Sequence, residues 1–269
     1  MPVIFGKIKK PKPEYNCFYD SEFNAYDDGK SLGIPQEVVS IGVCITNNDG
    51  VIIEKFYSLI SLKAAKRISN RCTEITGIKT KDLKDAENFE KVTLKVSKLL
   101  KKYNIKRVYC YGLEDKRILE KTTELYDKKK DGRFIAKLLY DVRPDFKKRT
   151  KGKIGEQGLQ FLKSICRLEG NVIHDALQDA IDLANIYYKI NAGAYDEHIY
   201  EVLTKEREEL SSYKRTRRVK EENAMVVGTD LVKSKNKLVE YLEKNSIPHM
   251  DNGAKKAIID DLNLLFLGE

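Results

Sequence analysis

The sequence lacks the long apolar stretch of a membrane-spanning helix, because no apolar run approaches the roughly 18 residues that cross a bilayer. Its first 15 residues, MPVIFGKIKKPKPEY, have charge and proline where a signal peptide needs an apolar centre. The sequence also contains no internal repeat and no long low-complexity tract. These absences predict a globular protein without a membrane partner, located in the cytoplasm.

Cysteine is scarce and follows no pattern. The five cysteines are widely spread, odd in number and without a CxxC pair or another zinc-ligand spacing, which disfavours a zinc site. We interpret them as buried, reduced thiols: Cys17, Cys44, Cys72, Cys110 and Cys166.

Basic residues outnumber acidic ones, with 50 Lys and Arg against 41 Asp and Glu and a formal net charge of +9. A basic surface attracts phosphates by coulombic steering and counterion release. The charge therefore suggests a polyanionic partner, although many basic proteins bind no nucleic acid. A length of 269 residues with 41% hydrophobic side chains fits one sizeable domain and a smaller appendage.

Strands are predicted first along the chain and helices later. Runs of β-branched and aromatic residues predict strands at 15–23, 37–46 and 51–60, and an Asn-Asn-Asp-Gly turn signal at 47–50 indicates an antiparallel hairpin. Short strands at 107–111 and 138–142 then alternate with helical patterns at 89–100, 115–125, 158–168 and 175–190, and a lysine-rich solvated loop is expected at 126–132. This order predicts an α/β fold with a mixed sheet.

The organisation predicted is a main domain of residues 1–192, a charged helical linker of residues 193–229 and a small helical region of residues 230–269. The linker contains KRTRRVK at Lys214–Lys220, which is either a solvated helix face or a phosphate contact. Residues 246–262 resemble the helix-loop-helix of SAP-like nucleic-acid modules. Oligomerisation through these helices, as in a homodimer, is the alternative.

Asp20 and Glu22 end an apolar strand pattern, CFYDSEF. Alternation with a period of two places both carboxylates on one face, where their repulsion is most readily offset by a divalent cation. A lone DxE is common, however, and by itself it is better explained by an exposed strand end with solvated acids.

The segment HDALQDA, residues 174–180, opens a late helix. Asp175 and Gln178 match a capping box, so Asp175 is expected to cap the helix. His174 and Asp179 then lie near the same helix end, where a histidine beside a metal-bound acid could accept a proton from water. Asp115 follows a strand and a glycine turn, and by itself it would be interpreted as a helix N-cap.

Together, the strand DxE, the acid after a strand-glycine turn and the H-x4-D motif resemble the DEDDh exonucleases of the ribonuclease H-like superfamily. The resemblance covers residues 15–190 and includes RCTEITGIKTKDL at 71–83 and LQFLKSICRLEG at 159–170. It implies a five-stranded ribonuclease H-like sheet, an antiparallel meander followed by parallel strands, flanked by helices. Phe23 and Asn24 stand where the family often has Thr and Gly, which concerns substrate preference rather than the metal ligands.

The resemblance also implies the chemistry. Asp20, Glu22 and Asp179 would hold one Mg²⁺ or Mn²⁺, with Asp20 bridging to a second ion and Asp115 acting through metal-bound water. His174 would be the general base in hydrolysis that releases nucleoside 5′-monophosphates from DNA or RNA 3′ ends. The substrate-binding residues would be Ser21, Phe23 and Asn24, and the basic run at 147–153 would be either a contact to the substrate backbone or a solvated loop.

Two other classes of function stay open from sequence alone. A catalytically inactive nucleic-acid-binding module could keep the same fold, although all five expected chemical residues are present. A metal-dependent phosphatase or nucleotidase fits the basic charge less well.

Overall fold

The computed structural model describes residues 15–24, 36–209, 211–212, 240 and 256. The chain divides into two compact units, residues 1–200 and 201–269, and residues 201–209 of the second are helical. The predicted basic segment Lys214–Lys220 and nearly all of the predicted region 230–269 lie outside the described residues. In the described part, no helix has the length and apolar character required to cross a membrane.

The first unit contains a five-stranded mixed sheet with the order β3-β2-β1-β4-β5. The antiparallel meander is confirmed, since β1 pairs with β2 and β2 with β3, whereas β4 lies parallel to both β1 and β5. The strands are β1 (Tyr15–Asn24), β2 (Glu37–Asn47), β3 (Ile52–Leu59), β4 (Val108–Cys110) and β5 (Leu139–Asp141). This is the predicted arrangement of a meander followed by parallel strands.

The hairpin between β2 and β3 forms at the predicted turn. The Asn47 side chain accepts hydrogen bonds from the backbone N–H groups of Asp49 and Val51, and Gly50 has a positive φ of 86°. Asparagine stabilises such a turn because its side chain replaces a backbone acceptor, and glycine supplies the positive φ without steric cost.

Seven helices are described between β3 and residue 191, and they flank the sheet on both faces; residues 197–200 are helical as well. The seven helices are α1 (Asn70–Thr76), α2 (Phe89–Lys102), α3 (Glu114–Glu124), α4 (Lys130–Leu138), α5 (Arg143–Arg149), α6 (Leu159–Ile165) and α7 (Ala176–Asn191), with a 3₁₀ turn at Thr80–Leu83. The main apolar core joins β1 and β2 to α2, α3 and α4. On the other face α7 packs against the same two strands, and the Phe18 ring contacts Tyr187 and Tyr188.

One loop prediction was wrong, and one interpretation that the sequence left open holds only in part. The solvated loop expected at 126–132 begins with a buried residue, because the Tyr126 ring stacks on Phe89 in the core, and it ends inside α4, which starts at Lys130. The basic run at 147–153 starts on α5, anchored by the fully buried Phe146, so it is not a solvated loop throughout. In both cases one buried aromatic side chain outweighs the surrounding charge, because its apolar area is large. The five cysteines are buried and free, as predicted.

Candidate active site

The first two acids are positioned by regular strand pairing. Asp20 lies opposite Gly42 of β2 and Glu22 lies opposite Ser40, and both carboxylates line one cavity. The register shifts between Glu22 and Phe23, because Val39 of β2 is skipped in the pairing, so the bulge lies in β2 opposite the end of the DxE motif. A bulge places two residues opposite one on the neighbouring strand and redirects the side chains that follow. Phe23 borders the same cavity and also packs against the core cluster that contains Cys17 and Tyr19, the face that strict alternation predicts.

Asp115 is brought to the DxE motif by the turn between β4 and α3. Gly112 has a φ of 104°, and the N-cap of α3 is Leu113, so the interpretation of Asp115 as an N-cap was wrong. Instead Asp115 Oδ1 accepts hydrogen bonds from the Ser21 backbone N–H at 3.0 Å and from Ser21 Oγ at 2.7 Å. Asp115 is thereby fixed to the residue between the two acids of β1.

The start of α7 supplies the remaining pair. Asp175 caps the helix by accepting a hydrogen bond from the Gln178 backbone N–H at 2.9 Å, as predicted, while the Gln178 side chain donates to Asp182 at 3.0 Å. His174 precedes the cap in the left-handed region, with a φ of 51°, and its side chain is exposed. Asp179, one turn into the helix, is buried.

Gly42 allows α7 to approach the sheet beside Asp20. A Cβ atom at Gly42 would stand 2.1 Å from the carbonyl carbon and oxygen of Ala176 and 2.2 Å from the backbone nitrogen of Leu177. These are backbone atoms of the first turn of α7, so they cannot rotate away. Only glycine at this position lets the helix end that carries His174 and Asp179 lie over Asp20.

Gly42→Val is therefore expected to displace the start of α7 and separate the acids. Overpacking of this kind costs about 1–3 kcal/mol in the free energy of unfolding, and kcat should fall more than the loss of folded protein explains. Urea unfolding and activity of the folded fraction measure the two effects. Gly158→Ala is the matched control, since Gly158 has open space around it and a φ of −72°. Equal behaviour of the two variants would contradict this role of Gly42.

The carboxylates form a strongly acidic, poorly solvated group. Burial, followed by repulsion from Asp115, Glu22 and Asp179, raises the pKa of Asp20 well above its ordinary value. Burial, and next the charge of Asp179, raises the pKa of Glu22 to about 8. Burial also raises the pKa of Asp179 to about 7. Burial raises the pKa of Asp115 to about 6, although the hydrogen bonds from Ser21 lower it.

The residues fit a divalent cation. Glu22, His174 and Asp179 each offer a ligand atom, and these atoms lie within 4.8 Å of one another. Asp179 Oδ1 is buried and has no hydrogen-bond partner among the described residues. Such an oxygen is costly unless a cation or water pairs with it. Hard carboxylate oxygens are the ligands that Mg²⁺ and Mn²⁺ prefer.

The acids form one wall of a cavity of about 350 Å³, and apolar side chains form much of the rest. Ser21 and Phe23 line the cavity, and Phe23 also packs against the main core. Asn24 is fully buried; its side chain donates to the Arg67 carbonyl and accepts from the Ser69 backbone N–H, which anchors the segment before α1. Its predicted contact with substrate is thus restricted to the main chain.

Sequence reasoning missed several residues that line the cavity. Ile75 and Thr76 come from α1, and Tyr111 comes from the turn after β4. Leu159 is the first residue of α6, and Val172 lies between α6 and α7. The TGI segment and the strand before Gly112 pointed to these regions. No periodicity in the sequence identified the individual side chains.

A family model described as Exonuclease (RNase_T) matches residues 17–187, more than half of the chain and the whole of the site. The chain belongs to the exonuclease family. Its sheet and helices are those of the ribonuclease H-like fold that this family shares. No curated protein matches the sequence of this exonuclease-family chain at a significant level.

Solved structures agree in fold. A 3′-exonuclease described for its 3′-end specific recognition of a histone mRNA stem-loop matches with a TM-score of 0.58 and 18% identity over 67% of this chain. The nuclease domain of 3′hExo, a DEDDh family member bound to rAMP, gives 0.54 and 17% over 67% of this chain and 94% of that chain. Cell-death related nuclease 4 (CRN-4) gives 0.54 and 18% over 67% and 65%. This exonuclease-family chain spans 65% of the first neighbour, slightly less than two thirds.

Proposed function

We propose that the chain is a divalent-metal-dependent 3′→5′ exonuclease. The observation that carries this proposal is the convergence of Asp20, Glu22, Asp115, His174 and Asp179, drawn from β1, α3 and the start of α7, around one cavity. The matched exonuclease family model contains all five positions.

In this proposal Asp20, Glu22 and Asp179 hold Mg²⁺ or Mn²⁺, two ions in all, and Asp115 acts through ordered water. When bound, the cations neutralise the charge that develops on the phosphate and lower the pKa of water. His174 removes the proton from the attacking water at a ring nitrogen. Its exposure suits this role, because the imidazole can pass the proton on to solvent.

The substrate in this proposal is a DNA or RNA 3′ end, and the products are nucleoside 5′-monophosphates. Phe23 supports a terminal nucleotide because its ring forms an apolar wall beside the carboxylates, and aromatic rings stack on bases of any sequence. The Ser21 hydroxyl donates to Asp115. Ser21 therefore contributes mainly through its main chain, which lies next to the scissile phosphate in this proposal.

In this proposal a basic segment, residues 147–153, extends the binding site along the nucleic-acid strand, beyond its 3′ end. It includes five Lys or Arg residues and no acid, and it joins α5 to the loop that leads to Leu159 in the cavity wall. Tyr111, also in that wall, donates its hydroxyl to the Gln157 carbonyl, which ties this loop to the site.

Reversing two of these charges, in Lys148→Glu with Arg149→Glu, should weaken binding of a long single strand and spare a dinucleotide. Each lost phosphate contact flattens the slope of log affinity against log salt by about 0.7. Fluorescence anisotropy across a salt series measures the slope. Lys128→Glu with Lys130→Glu is the control, since it changes the same charge at exposed positions before and within α4, on the other face of the sheet. The same loss of affinity in both variants would show a general effect of charge and no specific contact between residues 147–153 and the nucleic acid.

Removing divalent cations should destabilise the protein more at about pH 8 than at about pH 5. Glu22 and Asp179 bind protons more tightly in the folded chain, so their protonation contributes stability that is lost as the pH rises through their raised pKa values. A bound cation takes over this role by mass action. Thermal melting in EDTA and in Mg²⁺ at both pH values tests the idea, and an equal cation effect at both would contradict it.

The reaction is tested by mass spectrometry of the products released from single-stranded DNA and RNA. Nucleoside 5′-monophosphates support the proposal. Inorganic phosphate and nucleosides from mononucleotides would indicate a phosphatase or nucleotidase. Retention of intact strands without product would indicate an inactive binding module.

A further inference from the structure

The segment between α6 and α7, residues 166–175, carries His174 without regular secondary structure. Arg167, Gly170 and His174 all have positive φ angles, so the backbone of this segment departs repeatedly from helical and extended geometry. The His174 side chain is exposed and makes no hydrogen bond among the described residues. The position of its imidazole therefore depends on how the main chain of this segment is held.

Two side chains of α6 hold that main chain. Gln160 Oε1 accepts a hydrogen bond from the Val172 backbone N–H at 2.7 Å, and Lys163 Nζ lies 3.5 Å from the Asn171 carbonyl oxygen as a donor. The Asn171 C=O and the Val172 N–H are thus both bound by side chains of α6, directly before Ile173 and His174. Val172 itself lines the cavity.

Lys163 is in turn fixed from the α7 side. Its ammonium group pairs with Asp182 at 2.5 Å, and the two side chains are only 3% and 7% exposed. The second oxygen of Asp182 accepts from Gln178, in the first turn of α7. A buried ion pair adds little stability over an apolar pair, and its best-attested use is to fix a register. Here it sets α6 against the helix end that carries Asp179.

We propose that Gln160, supported by the Lys163–Asp182 pair, is a positioning residue that holds residues 171–174 and so places the His174 imidazole at the carboxylates. This inference rests on the proposed function, which makes His174 the general base. Gln160 itself is exposed and contacts neither the acids nor the cavity, so it acts only through the segment.

Gln160→Ala removes the acceptor and should lower kcat by about 10–100-fold, the scale typical of residues that orient a ligand or catalytic group, with KM and Mn²⁺ affinity unchanged. Gln160→Glu keeps an oxygen at the same reach and should retain most of kcat. Ser164→Ala, on the same helix, removes a hydroxyl that, within the described residues, bonds only to the Gln160 carbonyl, and it should behave like the wild type.

The decisive comparison is the double variant. In a His174→Ala background, Gln160→Ala should have no further effect on kcat, because both changes remove the same action. A full additional loss in that background would show that Gln160 acts elsewhere, and wild-type kcat in Gln160→Ala alone would overturn the proposal.

Amide hydrogen exchange separates this inference from the proposed function. The Val172 amide should exchange faster in Gln160→Ala than in the wild type or Gln160→Glu, whether or not the protein cleaves nucleic acid. Unchanged protection would refute the anchoring. Faster exchange in a protein without any nuclease activity would leave the anchor standing and overturn the proposed function, and with it the role of the anchor in catalysis.

Discussion

Asp20→Asn is expected to lower kcat by at least about 10³-fold, the scale on which removal of a group that acts in the transition state reduces rate. The substitution keeps the size and shape of the side chain and removes its charge. Asp20 lies between Glu22, Asp115 and Asp179, and each of them raises its pKa. A cation shared by these groups loses its central ligand, so raising the Mg²⁺ or Mn²⁺ concentration should not restore the rate.

The matched control for this prediction is Asp175→Asn, the same change at an acid that also faces the group but caps α7. Asparagine is as good an N-cap as aspartate, so this variant should stay near the wild-type rate. Steady-state hydrolysis of a single-stranded oligonucleotide compares the two. Loss of activity in both would mean that general negative charge matters, and activity in Asp20→Asn would remove Asp20 from the mechanism.

His174→Ala is expected to lower kcat by about 10²–10⁴-fold, the usual contribution of general acid–base catalysis, and to leave Mn²⁺ affinity largely unchanged. The geometry makes this a sharp test, because a ring nitrogen of His174 lies within 4.8 Å of ligand atoms of Glu22 and Asp179. A histidine that binds the metal would instead lose affinity for it when replaced.

Calorimetric titration with Mn²⁺ and single-turnover rates distinguish the two roles. His198→Ala serves as the control, since it removes another exposed histidine, from the helical segment that begins at residue 197. Weaker Mn²⁺ binding with a rate that recovers at high Mn²⁺ would make His174 a ligand. A near-normal rate at all concentrations would remove it from catalysis.

The parts of the fold that follow from local patterning were predictable. Asn47 and Gly50 define the hairpin by their own backbone preferences, and Asp175 caps α7 because its carboxylate reaches the N–H three residues on. Both effects act over a few residues, so the sequence contains all the information that they need.

The features that were missed depend on contacts between distant segments. The bulge in β2 opposite Glu22 and Phe23 is one of them, and no alternation rule indicates it. Asp115 bonds to Ser21, 94 residues earlier in the chain, instead of capping its own helix. Gly42 is required by the backbone of Ala176, which only the folded sheet brings near. The five acidic and basic site residues were chosen through a family resemblance, whereas their supports are visible only in three dimensions.

The central claim is tested most directly by degradation of a 5′-labelled single-stranded oligonucleotide by the wild-type protein, in Mg²⁺ or Mn²⁺ and in EDTA. The account predicts a ladder of labelled products that shortens progressively from the 3′ end and is absent in EDTA. Immediate release of the label as a mononucleotide, internal cuts without a ladder, or cleavage that persists in EDTA would contradict it.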